Sequence, residues 1–262
     1  MHLLPSVNVL YVLSGFLVGL LVGQTGVGGG SLMTPILVLL FGIHPAAAVG
    51  TDLLYASITK TVGTAVHGAN HTVEWPIVVR LAGGSVPATV LTLFVISHFD
   101  LSSSAASHLI TTVLGVMLLL TALALLFRHR LLAMGVDRIS KYSPRSTVAL
   151  TVLTGAVLGV LVTISSVGAG AIGVTVLLLL YPELPMARIV GSDIAHAVPL
   201  TLVAGIGHWI LGSVNPGMLV SLLIGSIPGI VLGSVLAARV PEWVLRPLLA
   251  VTLAVVGGTL VF

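Results

Sequence analysis

Gly50-Thr-Asp-Leu-Leu-Tyr-Ala-Ser-Ile-Thr-Lys-Thr-Val-Gly-Thr-Ala-Val-His67 is answered, 141 positions later, by Gly191-Ser-Asp-Ile-Ala-His-Ala-Val-Pro-Leu-Thr-Leu-Val-Ala-Gly-Ile-Gly-His208. Each stretch sets a carboxylate, Asp52 or Asp193, behind a hydroxyl residue, Thr51 or Ser192, inside an apolar run that ends in histidine. Working outward, Gly84-Ser-Val-Pro87 returns at the same offset as Gly225-Ser-Ile-Pro228. At an offset of 140, Gly15 and Gly19 return as Gly155 and Gly159, and Val27-Gly28 with Gly30 returns as Val167-Gly168 with Gly170. The chain is a doubled unit. In each copy a glycine-rich break precedes a carboxylate inside an apolar helix, the pattern of a site built where two membrane repeats meet.

Composition sets the class. The 262 residues are 57% hydrophobic and 6% charged, against about 25% charged in a soluble domain. Long apolar runs such as 109–127 and 218–238 identify a polytopic membrane protein, all-α, with the lipid bilayer as its surroundings. The first apolar run belongs to the first repeat, which argues against a cleaved leader. The absence of cysteine excludes disulfides and thiolate metal sites. The basic pI of 9.7 comes from few residues sorted to one side, so no nucleic-acid partner is expected.

Five apolar segments are expected per copy: 8–26, 30–43, 46–67, 77–97 and 105–127, then 148–165, 169–181, 186–209, 217–238 and 244–261. The second of each is about 14 residues, or about 21 Å, too short for a roughly 30 Å core. Each follows a glycine-rich stretch, so each copy should contain a re-entrant or broken helix with its tip enclosed in protein. The units are 1–128, a basic linker 129–146, and 147–262. The linker holds Arg128 at its edge, then Arg130, Arg138, Lys141 and Arg145, and should be cytoplasmic. With five segments per copy, Arg80, Arg188, Arg239 and Arg246 fall on that side and Lys60 leans toward it. Four spans per copy would put Arg239 and Arg246 outside. An odd number inverts the second copy, giving two inverted-topology repeats with external termini.

The glycine-rich tips are the first candidate site. Glycine allows tight turns and close approach. A tip that opens a helix presents unpartnered N–H groups to an anion. Thr25, Gly26, Gly28, Gly29 and Gly30 form one tip; Ser166, Gly168 and Gly170 form the other. Gln24, Ser31 and Ser165 offer further donors; close helix packing is the competing role. Asp52 and Asp193 are proton carriers, cation ligands, counter-charges or caps for a nearby helix, because a carboxylate at that depth costs several kcal/mol. Lys60 lies two turns beyond Asp52, facing an anionic substrate or else snorkelling to the interface. His196, three residues after Asp193, can share its helix face and relay protons, with Pro199 kinking the helix beside them. His67 and His208 end their helices and are read as C-terminal caps. His67, Asn70, His71 and Glu74 have no strict ligand spacing, so no metal site and no cofactor is expected. The Gly84–Pro87 and Gly225–Pro228 motifs are read as packing and kinking elements without chemistry. No nucleophile elbow, phosphate loop or HExxH motif occurs, so the chain does not read as an enzyme.

Gly26-Val-Gly-Gly-Gly-Ser-Leu-Met-Thr-Pro35, with the two aspartate stretches above, resembles the sulfite exporter TauE/SafE family, also grouped as toluenesulfonate uptake permeases. The likeness covers nearly the whole chain. The aspartates stand where many members carry a small hydroxyl residue, and the second tip, 165–170, is less glycine-rich than the first. The resemblance implies a multi-pass secondary transporter of the bacterial inner membrane, moving sulfite, sulfonates or related organic anions with the proton gradient. The expected site therefore binds a small anion through the tips with Thr25, Thr51, Ser166 and Ser192, offsets its charge with Lys60, and moves protons through Asp52, Asp193 and His196. Export is the expected direction, and a homodimer is left open. The competing readings are a metal or other cation transporter using Asp52, Asp193 and the histidines, and a non-transporting membrane scaffold.

Overall fold

The computed structural model describes residues 8–25, 30–99, 101, 103–139, 143–236 and 242–261. Ten α-helices follow in order: α1 (Val9–Thr25), α2 (Gly30–Pro35, continued by a wider π turn at Ile36–Leu40), α3 (Pro45–Ala69), α4 (Trp75–Ile96), α5 (Ser104–Ile139), α6 (Pro144–Ser165), α7 (Ala171–Leu180), α8 (Met186–Ile210), α9 (Pro216–Leu236) and α10 (Glu242–Val261). No strand occurs among the described residues. Among the described residues five helices, α4, α5, α6, α8 and α9, are long and apolar enough to cross a bilayer. Their outer faces expose Val79, Leu91, Phe94, Leu109 and Leu153, as lipid contact requires. The chain is an all-α polytopic membrane protein.

The five segments expected in each copy are all present. The short ones are shorter still: α7 has 10 residues, about 15 Å. The basic stretch beyond Arg128, read as a linker, is for most of its length a continuation of α5 as far as Ile139.

The repeat organises the packing. α1 lies along α9 and α6 along α4, each first helix against the fourth of the other copy. A Cβ at Gly15 would meet the Leu222 carbonyl, and one at Gly155 would meet the Leu81 carbonyl. These are repeat-equivalent contacts. So are Gly84 against Val152 and Gly225 against Val12, which gives the expected packing role of those motifs its geometry. At the centre α3 packs on α8. Gly50, near the start of α3, meets His208 in the last turn of α8 and Ser213 just beyond it; Gly191, near the start of α8, meets Thr72 just beyond α3. The two equivalent helices therefore run antiparallel. α5 and α10 meet through Gly115 and Gly257.

The break in the second copy is explicit. α6 stops at Ser166, which adopts the left-handed conformation at φ 59°. Gly168 and Gly170 follow at φ 125° and 128°, a region that favours glycine, before α7 starts at Ala171. Residues 165–171 are all buried, so the tip lies inside the protein.

Candidate functional site

α3 and α8 carry their charged residues into the interior. Asp52, Lys60, Asp193 and His196 are each at most 4% exposed. Such burial demands partners, and the structure supplies them unevenly. Thr34 of α2 donates its hydroxyl to Asp52 Oδ2 at 2.5 Å, while Oδ1 has no partner. The Ser166 hydroxyl at the tip sits near enough to act on the Asp52 carboxylate, though outside hydrogen-bond geometry. The Lys60 ammonium interacts electrostatically with both Asp52 and Asp193. Both oxygens of Asp193 are buried without a hydrogen bond. A Cβ on Gly173 of α7 would overlap Asp193 Oδ1, so the carboxylate lies directly against bare helix backbone.

The structure thus gathers Asp52, Lys60, Asp193 and Ser166 from α3, α8 and the second tip. Lys60 does not reach outward as a snorkelling lysine does; it is enclosed. His196 does not pair with Asp193. Its Nε2 lies 2.9 Å from Ser85 Oγ of α4, and its Nδ1 is unpartnered.

Thr51 and Ser192 are drawn away from the site. Thr51 Oγ1 accepts the Asn215 N–H at 3.0 Å, and Ser192 Oγ accepts the Glu74 N–H at 2.8 Å. Asn215 and Glu74 immediately precede α9 and α4, so these repeat-equivalent hydroxyls serve loop backbone where orphan N–H groups need acceptors. Gly26, Gly28 and Gly29 lie outside the described residues, and Thr25 and Gly30 are placed only as helix ends. Gly168 and Gly170 shape the tip.

The histidines at the helix ends are not gathered. His208 Nε2 lies 2.9 Å from the Thr163 carbonyl, and His67 Nδ1 lies 2.9 Å from Thr72 Oγ1. Glu74 pairs with Arg188 at 2.6 Å. No group of three potential metal-binding side chains occurs among the described residues.

Three participants escaped the sequence reading. Thr34 was hidden because a lone threonine carries no motif, although Thr175 stands at the same 18-residue interval before Asp193. Ser85 and Ser226 sat in motifs assigned only to packing, yet Ser85 meets His196 and Ser226 lies 3.1 Å from Thr59. Recurrence of the serine in both copies was the available signal.

Comparison with known proteins places this geometry in context. A family described as "Sulfite exporter TauE/SafE" matches residues 11–260. "Probable membrane transporter protein YjnA" of Bacillus subtilis (strain 168) is 38% identical over 255 residues, covering 97% of this chain and 100% of the relative. "Probable membrane transporter protein YdhB" of the same organism is 27% identical, covering 97% and 100%. "Probable membrane transporter protein MJ0441" of Methanocaldococcus jannaschii is 25% identical, covering 75% and 70%. No solved structure matches.

Proposed function

From the premise that the chain belongs to the sulfite exporter TauE/SafE family of membrane transporters, we propose that it is a proton-coupled secondary transporter of small sulfur-containing anions in the bacterial inner membrane, working in the direction of export. The observation that carries this reading is the buried group of Asp52, Lys60 and Asp193 at the crossing of α3 and α8, with Ser166 of the tip beside it. Ionisable residues at that depth are costly and mark a pathway. Lys60 and the tip supply positive charge and donors for an anion. The carboxylates of Asp52 and Asp193 supply the group that exchanges the coupling proton, and His196, one turn beyond Asp193 and against Ser85 of α4, extends the relay toward that helix.

Alternating access follows from the repeat. The antiparallel packing of α3 on α8 supports an inverted-topology pair, with one end of the crossing closed at Gly50 and Ser213 and the other at Gly191 and Thr72. Relative movement of the two halves exposes the central group to one side and then the other.

The test is flux from proteoliposomes holding sulfite or a small sulfonate, with and without an imposed pH gradient. Gradient-dependent movement of the anion is expected. Movement of divalent cations in its place would select the cation reading, and movement of neither would remove the transport assignment of this site.

A further inference from the structure

The two copies hold the same pair of side chains at the same spacing and in different states. Thr34 precedes Asp52 by 18 positions, and Thr175 precedes Asp193 by the same interval. In the first copy the Thr34 hydroxyl donates to Asp52. In the second, the Thr175 hydroxyl turns back on its own helix and donates to the Ala171 carbonyl at 2.7 Å. Asp193 is left with two buried, unpartnered oxygens. α7 offers it only the bare backbone at Gly173.

The remaining neighbours do not fill that gap. From α3, Lys60 is the charged group acting on Asp193, and Lys60 is shared with Asp52. From α4, Ser85 engages His196. From α6, Thr163 offers α8 a carbonyl that is taken by His208. A carboxylate that accepts a short hydrogen bond keeps its charge and its place. One without donors holds a charge only at the cost of desolvation, so it trades its proton more readily.

Resting on the proposed transport reading, we infer that the two aspartates divide the work: Asp193 takes up and releases the coupling proton, and Asp52 is a fixed anchor for Lys60 and the Ser166 tip, with Thr34 as its positioning residue. Thr175 has no part in holding a carboxylate.

Infrared difference spectra of the purified protein between acid and alkaline buffers test this without any transported anion. The chain holds only seven acidic residues, so each variant spectrum can be assigned by subtraction. Wild type should show a buried carboxyl band that titrates. Asp193→Asn should remove it and Asp52→Asn should retain it. Thr34→Val should add a second titrating band by freeing Asp52, whereas Thr175→Val should leave the spectrum unchanged. Where Asp193→Asn fails to fold, Asp193→Glu should move the band.

Absence of a titrating buried band in wild type overturns the inference, as does its loss in Asp52→Asn. Equal effects of the two threonine variants also overturn it, because they would mean that the copies exchange roles. In flux measurements Asp193→Asn should abolish the pH dependence, and Asp52→Asn should raise KM with the pH profile intact. Failure of wild type to move sulfite or a sulfonate counts against the transport reading alone, since the spectra need neither.

Discussion

Breaking the Glu74–Arg188 ion pair should loosen one end of the α3–α8 crossing and leave the other unaffected. Glu74 lies in the turn after α3, and Arg188 in the first turn of α8. Their closest atoms are 2.6 Å apart, with the side chains 27% and 48% exposed. In water a pair at that distance attracts by about 1.6 kcal/mol before desolvation and side-chain ordering are subtracted. Partly exposed pairs retain roughly 0.2–1 kcal/mol. Glu74→Gln should therefore raise the open population at this end by about 1.4- to 5-fold. The repeat-equivalent positions hold Asn215 and Ala47, so this pair has no counterpart at the opposite end. A chain without cysteine suits the assay. Ile189→Cys places a thiol at a fully buried position beside Arg188, and its maleimide labelling rate reports opening. High salt should raise the rate in the parent and have little effect in Glu74→Gln. Exchanging the charges, Glu74→Arg with Arg188→Glu, should restore slow labelling. Equal rates in the parent, the single variant and the exchange would refute the reasoning.

Gly84→Val should lower the thermal midpoint in detergent, costing about 1–3 kcal/mol, because its Cβ meets the Val152 carbonyl. The neighbouring Gly83 has nothing within 4 Å of a Cβ, so Gly83→Ala should be neutral or gain up to about 1 kcal/mol; equal losses at both sites would contradict the packing account. Gly168→Ala forces a side chain into φ 125° and should cost about 1–3 kcal/mol, with a matching drop in stability. Lys60→Ala should weaken sulfite or sulfonate binding by roughly tenfold in isothermal titration, and unchanged affinity would take the lysine out of the anion site.

The architecture was legible because it was written twice. Glycine positions that recur in both halves, such as 15 with 155 and 84 with 225, are those where helices touch backbone to backbone. The buried charges were legible because Asp52, Lys60 and Asp193 interrupt apolar runs. Hydroxyl direction was not. Thr51 and Ser192 adjoin the aspartates in sequence, but on a helix adjacent residues face about 100° apart. Their side chains consequently turn to the loops before α9 and α4. The partner of His196 was not legible either: helical spacing brings it near Asp193, and the side chain its Nε2 meets, Ser85 on α4, is 111 residues away. Sequence spacing along one helix carries no information about such a partner.

Near-symmetry of the scaffold makes its departures from symmetry the informative residues. Both ends of the α3–α8 crossing close by the same device, a helix-start glycine against the loop of the other copy. A pair closed alike at both ends has no intrinsic preference for which end opens. The bias must come from unmatched side chains. Arg188 with Glu74 ties the Gly191 end, and its repeat-equivalent positions, Ala47 and Asn215, form no such pair. Lys60 stands opposite Thr201, which spends its hydroxyl on the Ala197 carbonyl, so positive charge enters the centre from α3 alone. His196 stands opposite Tyr55, and each lies against the repeat-equivalent serine, Ser85 or Ser226, on the fourth helix of the other copy, so the asymmetry is in the side chain and not in its partner. The helix interfaces can therefore stay alike in the two copies while, on the proposed transport reading, the energetics of opening and the charge of the cargo are set by a handful of substitutions. Restoring symmetry at one of them, for example by Lys60→Thr, should alter what is carried before it alters how the protein folds.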